Sequence, residues 1–203
     1  MTGWGRSGRR LLWVGAAPLL AALAGCGNTA ATIPHASATP SPTSITIAPG
    51  VTVSPAKLAL PPYSVSTSNP LPQGVSAKVV VRDFIEDNLI ENQALEHSDA
   101  TLLQYADAGA MLTLDQRTIS TDQASGSRIL EIDDTVNSLV VGGEKDPNNP
   151  AARAAFEVAG LEKMTTEDKQ GTVTHKTDDF HVVIWVTWSS SLHKYLRCDV
   201  STL

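Results

Sequence analysis

Nine consecutive residues, Phe180-His181-Val182-Val183-Ile184-Trp185-Val186-Thr187-Trp188, constrain the fold more than any other stretch of the chain. They are rich in β-branched and aromatic side chains and contain neither glycine nor proline. Alternation sets Phe180, Val182, Ile184, Val186 and Trp188 on one face and His181, Val183, Trp185 and Thr187 on the other. Apolar residues on both faces predict a central strand. Ser189-Ser190-Ser191 then turns the chain into a last strand, Leu192 to Val200, with Leu196, Cys198 and Val200 on one buried face. Upstream, Phe156, Val158 and Leu161 mark another strand, which ends in a turn at Asp168-Lys169-Gln170-Gly171. Ile129, Leu130, Ile132, Val136, Leu139 and Val140 fit a bulged strand better than a helix, and the loop Gly142 to Pro150 follows them.

The preceding stretch has helical periodicity. Ser76 stands as an N-cap before Ala77 to Leu89, where Val81, Phe84, Ile85 and Leu89 form one apolar stripe. A second helix is expected after Ser98, with Asp99 in its first turn, Leu102, Leu103 and Ala106 inward, and Gly109 ending it. A third, short helix is expected around Asp115 to Thr121. Helices followed by an antiparallel meander predict an α+β fold, with N-terminal helices packed on a curved antiparallel sheet. This order, with the Asp99-x-x-Leu102-Leu103 helix start, resembles the cone-shaped nuclear-transport-factor-2-like family over residues 77 to 203. The resemblance implies a pocket between helices and sheet, which some members use for isomerase or dehydratase chemistry and many only for binding.

The N-terminus reads as a targeting segment. Arg6, Arg9 and Arg10 precede the apolar run Leu11 to Leu23, which contains Pro18 and is too short for a comfortable permanent span. Leu23-Ala24-Gly25-Cys26 follows, where small residues give a peptidase access and the Cys26 thiol can accept a diacylglycerol. The arrangement closely resembles bacterial lipoproteins with a type II signal peptide over about the first 26 residues. It implies lipidation at Cys26, palmitate-type acyl chains, and a cell membrane location on the extracytoplasmic face. Arg9-Arg10 also matches part of a twin-arginine signal, which leaves the export route open. From Gly27 to Ser76 the chain holds nine of its twelve prolines among Ser, Thr and Ala, with Lys57 its one charged side chain. That composition predicts a disordered linker. The expected organisation is therefore a signal peptide over 1–25, the lipidated Cys26 and linker over 26–76, and one domain over 77–203.

That domain carries all 21 acidic residues against 11 basic ones, a formal charge of −10. Nucleic acid is therefore not an expected partner, and the domain is repelled from anionic headgroups. The partners expected are the membrane, through the lipid, and an envelope protein or small apolar ligand. If Cys26 is acylated, Cys198 has no intramolecular partner, and burial is its expected state. Ser54-Pro55-Ala56-Lys57 matches the Ser-x-x-Lys pattern, but a Pro-rich segment cannot fix that serine at a helix start. His175-Lys176-Thr177-Asp178-Asp179-Phe180-His181 gathers two imidazoles and two carboxylates, yet strand spacing parts the histidines and Lys176 adds positive charge, so no metal site is assigned. Trp185 and Trp188 read as one core and one partly exposed aromatic. No catalytic residue and no cofactor is assigned. Function is expected to be that of a non-catalytic binding or interaction domain on a membrane tether; the alternative is a small pocket enzyme of the isomerase or dehydratase kind.

Overall fold

The computed structural model describes residues 44–143 and 152–203. Ile45–Ala48 (β1) and Val51–Val53 (β2) form a small antiparallel hairpin, and Ser64–Val65 (β3) is a short strand ahead of helix α1, Ala77–Glu96. A 3-10 turn, Leu103–Tyr105, leads to helix α2, Gly109–Ser125. Four long strands complete the chain: β4 (Arg128–Gly142), β5 (Ala152–Glu167), β6 (Val173–Ser189) and β7 (Lys194–Thr202). The main sheet runs β3-β4-β5-β6-β7, with β3 parallel to β4 and every other pair antiparallel.

The protein is thus mostly sheet, which corrects the expected α+β class with its leading helices. Two helices, not three, are present among the described residues, and strands of 15, 16, 17 and 9 residues dominate. The physical reason lies at both ends of the prediction. At Asp99, where a helix was expected to start, the carboxylate accepts from the backbone and hydroxyl of Thr101, and this local turn competes with helix. Gly109 begins α2 instead of ending a helix. In the sheet, β5 and β6 continue through Thr-rich polar residues as far as the turn at Asp168-Gly171, well past the apolar runs that marked them.

α1 starts after Ser76, whose carbonyl accepts from Val79 and Val80 while its hydroxyl makes no capping bond. The helix extends to Glu96 because it is enclosed on several sides. Val80, Val81, Phe84, Ile85 and Leu89 pack on Leu139, Val141, Phe156, Val158, Val182, Ile184 and Val186 of the sheet, with Phe84 stacked on Phe156 at 4.4 Å between ring centroids. Each such buried side chain contributes about 1.5–3 kcal/mol relative to exposure. Ala94 and Leu95 join Leu103, Ile119, Ile129 and Ile132. Ile90 points the other way and meets Ala48, Val51 and Ala106.

That last contact moves the boundary of the folded part. Residues 44–76, expected as linker, are structured: Val51 is 1% exposed, and Ile47, Val53, Leu58, Leu60, Tyr63, Leu71 and Val75 pack against the core. A segment poor in apolar residues cannot build a core, but these few suffice to clamp the outer side of α1. The signal segment, Cys26 and the linker residues 27–43 lie outside the described residues.

The sheet has two irregularities that matter. Gly160 of β5 sits where a Cβ would come 2.1 Å from the Thr135 carbonyl oxygen and 2.7 Å from the Phe180 ring, beside the bulge between Val136 and Ser138. In β7 a second bulge pairs Val186 with Arg197 and Trp185 with Asp199, which leaves Cys198 as the extra residue. Alternation is therefore broken: Leu196 pairs with Thr187 on one face, Val200 with Ile184 on the other, so the single face expected for Leu196, Cys198 and Val200 is corrected. Cys198 is nonetheless buried at 1% exposure.

Val51→Asp is expected to destabilise the protein by several kcal/mol, because it buries a carboxylate against Ile90. Gly160→Ala should cost about 1–3 kcal/mol, since the Thr135 backbone must shift. Urea unfolding of the full chain checks both; a neutral Val51→Asp would return residues 44–53 to the linker.

Candidate functional site

Among the described residues the largest fully buried side chain is a cation. Arg197 of β7 is 0% exposed, and its guanidinium points to the helices because the bulge sets it on the same face as Val186. Its Nε donates to Asp107 Oδ1 at 2.9 Å and Nη2 to the same oxygen at 2.5 Å; Nη1 donates to Asn88 Oδ1 at 3.0 Å and to Glu91. Asp115 Oδ2 stands 3.8 Å from Nη2. Asn88 and Glu91 come from α1, Asp115 from α2, and Asp107 from the turn between them. The backbone adds to this: Arg197 N–H donates to the Ala106 carbonyl and the Ala108 N–H to the Arg197 carbonyl, a parallel bridge that also covers part of the β7 edge.

A second cation continues the row. Lys194 Nζ lies 2.6 Å from Asp87 Oδ1 and 3.8 Å from Glu86 Oε2, and the Tyr195 N–H donates to Asp83 Oδ2 at 3.0 Å. Asp83, Asp87 and Glu91 recur every four residues along α1, so one helix stripe carries carboxylates inward towards β7. Asp83, Asp87, Glu91, Asp107 and Asp115 are all at most 2% exposed.

Five buried carboxyl groups surround two cations, and burial disfavours the charged form. Desolvation raises Asp107 to about 6, against the lowering pull of Arg197, and raises Asp115 well above the ordinary carboxylate range, helped by the charges of Glu91 and Asp107. Desolvation also raises Asp87 despite Lys194. Arg197 stays charged, because the Asp107, Glu91 and Asp115 carboxylates outweigh its own desolvation. Burial and the neighbouring carboxylates thus favour the neutral form of Asp115 most strongly, while the pull of Arg197 opposes that shift at Asp107.

Beside it, a surface groove of about 240 Å³ lies between α2 and the end of β7, lined by Ala110, Met111, Thr113, Leu114, Arg117, Asp199 and Val200. The Arg197 cluster does not line this groove. Chemically the cluster can hold a proton and fix the helices, while the groove offers an apolar floor with one cationic and one anionic side chain.

The residues singled out from sequence are elsewhere. His175 Nδ1 is bonded to the Thr165 hydroxyl at 3.0 Å, His181 Nε2 to Glu157 at 2.9 Å, and Lys176 pairs with Asp178; these side chains do not converge. Among the described residues no three His, Cys, Asp or Glu form a metal-binding group. Ser54 and Lys57 are exposed on a 3-10 turn, Pro55–Leu58. Trp188 is 44% exposed with its ring edge-on to Tyr195, whereas Trp185 is half-buried on the opposite face. Cys26 lies outside the described residues. The sequence reasoning missed Arg197 and its acids. Their signal was the four-residue spacing of Asp83, Asp87 and Glu91 together with one arginine inside the apolar run Tyr195 to Cys198.

No family model matches the sequence, and no curated protein matches it. Among solved structures the chain is similar to the intermembrane space region of the chloroplast protein ARC6, with a TM-score of 0.47 and 18% identity over 65% of this chain and 98% of that one.

Arg197→Met should destabilise the protein by about 3–5 kcal/mol, because it strands buried carboxylates; Arg197→Lys should not restore it, since an ammonium cannot fill the fork. An acid whose pKa is raised on folding stabilises the fold while protonated. Its contribution is complete below the ordinary carboxylate range and is lost as pH climbs through about 6 for Asp107. The melting temperature should therefore be higher at pH 5 than at pH 7.5 by on the order of 5 °C. Asp115→Asn, which mimics the protonated acid, should flatten that difference in calorimetric scans.

Proposed function

We propose that the chain is a lipoprotein anchored through Cys26 to the extracytoplasmic face of a cell membrane, carrying a non-catalytic interaction domain. The observation that carries this is Leu23-Ala24-Gly25-Cys26, preceded by an apolar run and three arginines. The acidic excess of the domain is consistent with it, since such a surface stands off an anionic membrane. The first strand begins at Ile45, so at most the 18 residues Gly27 to Ser44 separate it from Cys26, a fully extended reach of at most about 65 Å. The domain is then held near the membrane, within range of envelope proteins.

The interior chemistry favours interaction over catalysis. A general acid or base must reach a substrate atom, and the acids with raised pKa here face Arg197, Lys194 and one another behind two helices. What remains for recognition is surface: the groove along α2 and the outward face and edges of the sheet. Among the described residues no helix is long and apolar enough to cross a membrane.

Cys26→Ser should shift the protein from the membrane fraction to the soluble one, or leave an unprocessed precursor. Mass spectrometry of the N-terminal peptide decides between outcomes: a diacylated Cys26 at the mature terminus is expected, and an unmodified Cys26 within an intact peptide spanning Leu23 to Gly27 overturns the anchoring.

A further inference from the structure

The row of ions between α1 and β7 ends in a pair whose chemistry the Arg197 cluster does not use. Lys194 opens β7 and Asp87 lies within α1, with Nζ 2.6 Å from Oδ1. At that distance the charges attract, yet the angles are not those of a hydrogen bond. Among the described residues Nζ and both Asp87 oxygens have no hydrogen-bond partner. The Asp87 side chain is 0% exposed and that of Lys194 13%. A third group completes the set, since Glu86 Oε2 stands 3.8 Å from the same Nζ. The pair is also held from both sides along α1. One turn before Asp87, Asp83 accepts from the Tyr195 N–H; one turn after it, Glu91 accepts from Arg197.

We propose that Lys194 and Asp87 condense to an intramolecular amide, a covalent cross-link between β7 and α1, with Glu86 carrying the proton. Nζ first yields a proton to an Asp87 oxygen, which turns the ion pair into a neutral amine facing a neutral acid. The nitrogen lone pair then forms the Nζ–Cγ bond while the carbonyl π pair moves to oxygen, giving a tetrahedral centre. The Glu86 carboxylate takes the second proton from nitrogen and delivers it to the hydroxyl. As the oxygen pair closes back to a carbonyl, the Cγ–O bond breaks and one water leaves. Of the three protons on the ammonium, one stays on the amide and two depart in the water. Nothing is oxidised or reduced, and Glu86 ends as it began.

Three features of the site favour this reaction over a lasting ion pair. In water, hydration of ammonium and carboxylate holds the two groups as ions; here folding has already removed most of that hydration, and the amide eliminates two buried charges. Burial pushes the Asp87 carboxyl well above its ordinary range despite Lys194, so the acid form that attack requires is favoured there. Burial raises Glu86 too, against the pull of Lys194 and Arg82, which suits a group that must both take and give a proton. Finally, the anchors at Asp83 and Glu91 fix the two reactants in contact, and groups so held react as if at very high concentration. The link joins the first long helix to the fourth long strand and closes everything between them into one covalent ring. The inference does not depend on lipid anchoring.

Peptide mass spectrometry tests it on the full chain, purified in detergent and unfolded before trypsin is added. In wild type, residues 83–117 and 177–197 should appear as one branched peptide, uncut at Lys194 and lighter by one water than the two pieces together. Lys194→Arg keeps the charge but offers no amine to acylate, and Asp87→Ala offers no carboxyl; each should lack the branched peptide. Glu86→Gln should accumulate it about tenfold or more slowly after synthesis. Aged wild type that is cut after Lys194 and releases the two pieces separately overturns the proposal and leaves Lys194 and Asp87 as an ion pair, a result that requires no variant to fold. A water loss that survives in Lys194→Arg overturns it equally, and an undiminished rate in Glu86→Gln removes Glu86 from the reaction.

Discussion

The fold depends on where Arg197 puts its five donors. Removing a guanidinium from water is costly unless its fork is filled, and here the partners come from α1, α2 and the turn between them. Apolar contacts between a helix and a sheet can slide by a fraction of a turn at little cost. A planar fork bonded to Asp107, Asn88 and Glu91 cannot. The bulge that makes Cys198 the extra residue of β7 aims this side chain at the helices, so a defect in the sheet ladder and an ion cluster in the core are one device. Its cost is a local surplus of carboxylates, whose burial raises the pKa of Asp107 and Asp115.

α1 is the element on which everything else closes. Its apolar residues face the sheet, its Asp83-Asp87-Glu91 stripe faces β7, and Ile90 faces the β1–β2 hairpin. A helix enclosed in this way has little stripe-like amphipathicity of its own, and it needs cover on the side away from the sheet. The Pro-rich segment 44–76 supplies that cover. Prolines do not prevent this, because the segment makes only short ladders and borrows α1 as its core.

What sequence could show follows from which signals are periodic. The run Phe180 to Trp188 was legible as a strand between neighbours because its even-numbered residues are buried from Phe180 to Val186; the start of α1 after Ser76 and the turn at Asp168-Gly171 were legible from capping position and turn chemistry. The outer halves of β5 and β6 were not, because Lys163 to Glu167 and Val173 to Asp179 extend beyond the main apolar cluster and carry no apolar alternation, with Met164 the one side chain of these stretches that joins the second cluster. The candidate site was hidden for a related reason. Asp83, Asp87 and Glu91 have the composition of a solvated helix face, and only tertiary pairing with the Tyr195 N–H, Lys194 and Arg197 makes them interior. Composition likewise assigned 44–76 to the linker, since it counts apolar residues without asking what they meet.

The molecule uses charge in two ways, and the surroundings decide which. Around Arg197 the groups are dry, so each ion pair is strong, removal of one partner is severe, and protonation is shifted. Along β6, Lys176 and Asp178 are partly solvated, and such pairs are each worth at most about 1 kcal/mol to stability. The buried cluster therefore governs how the helices and β7 are fixed to one another, while the solvated pairs contribute little to how stable the fold is.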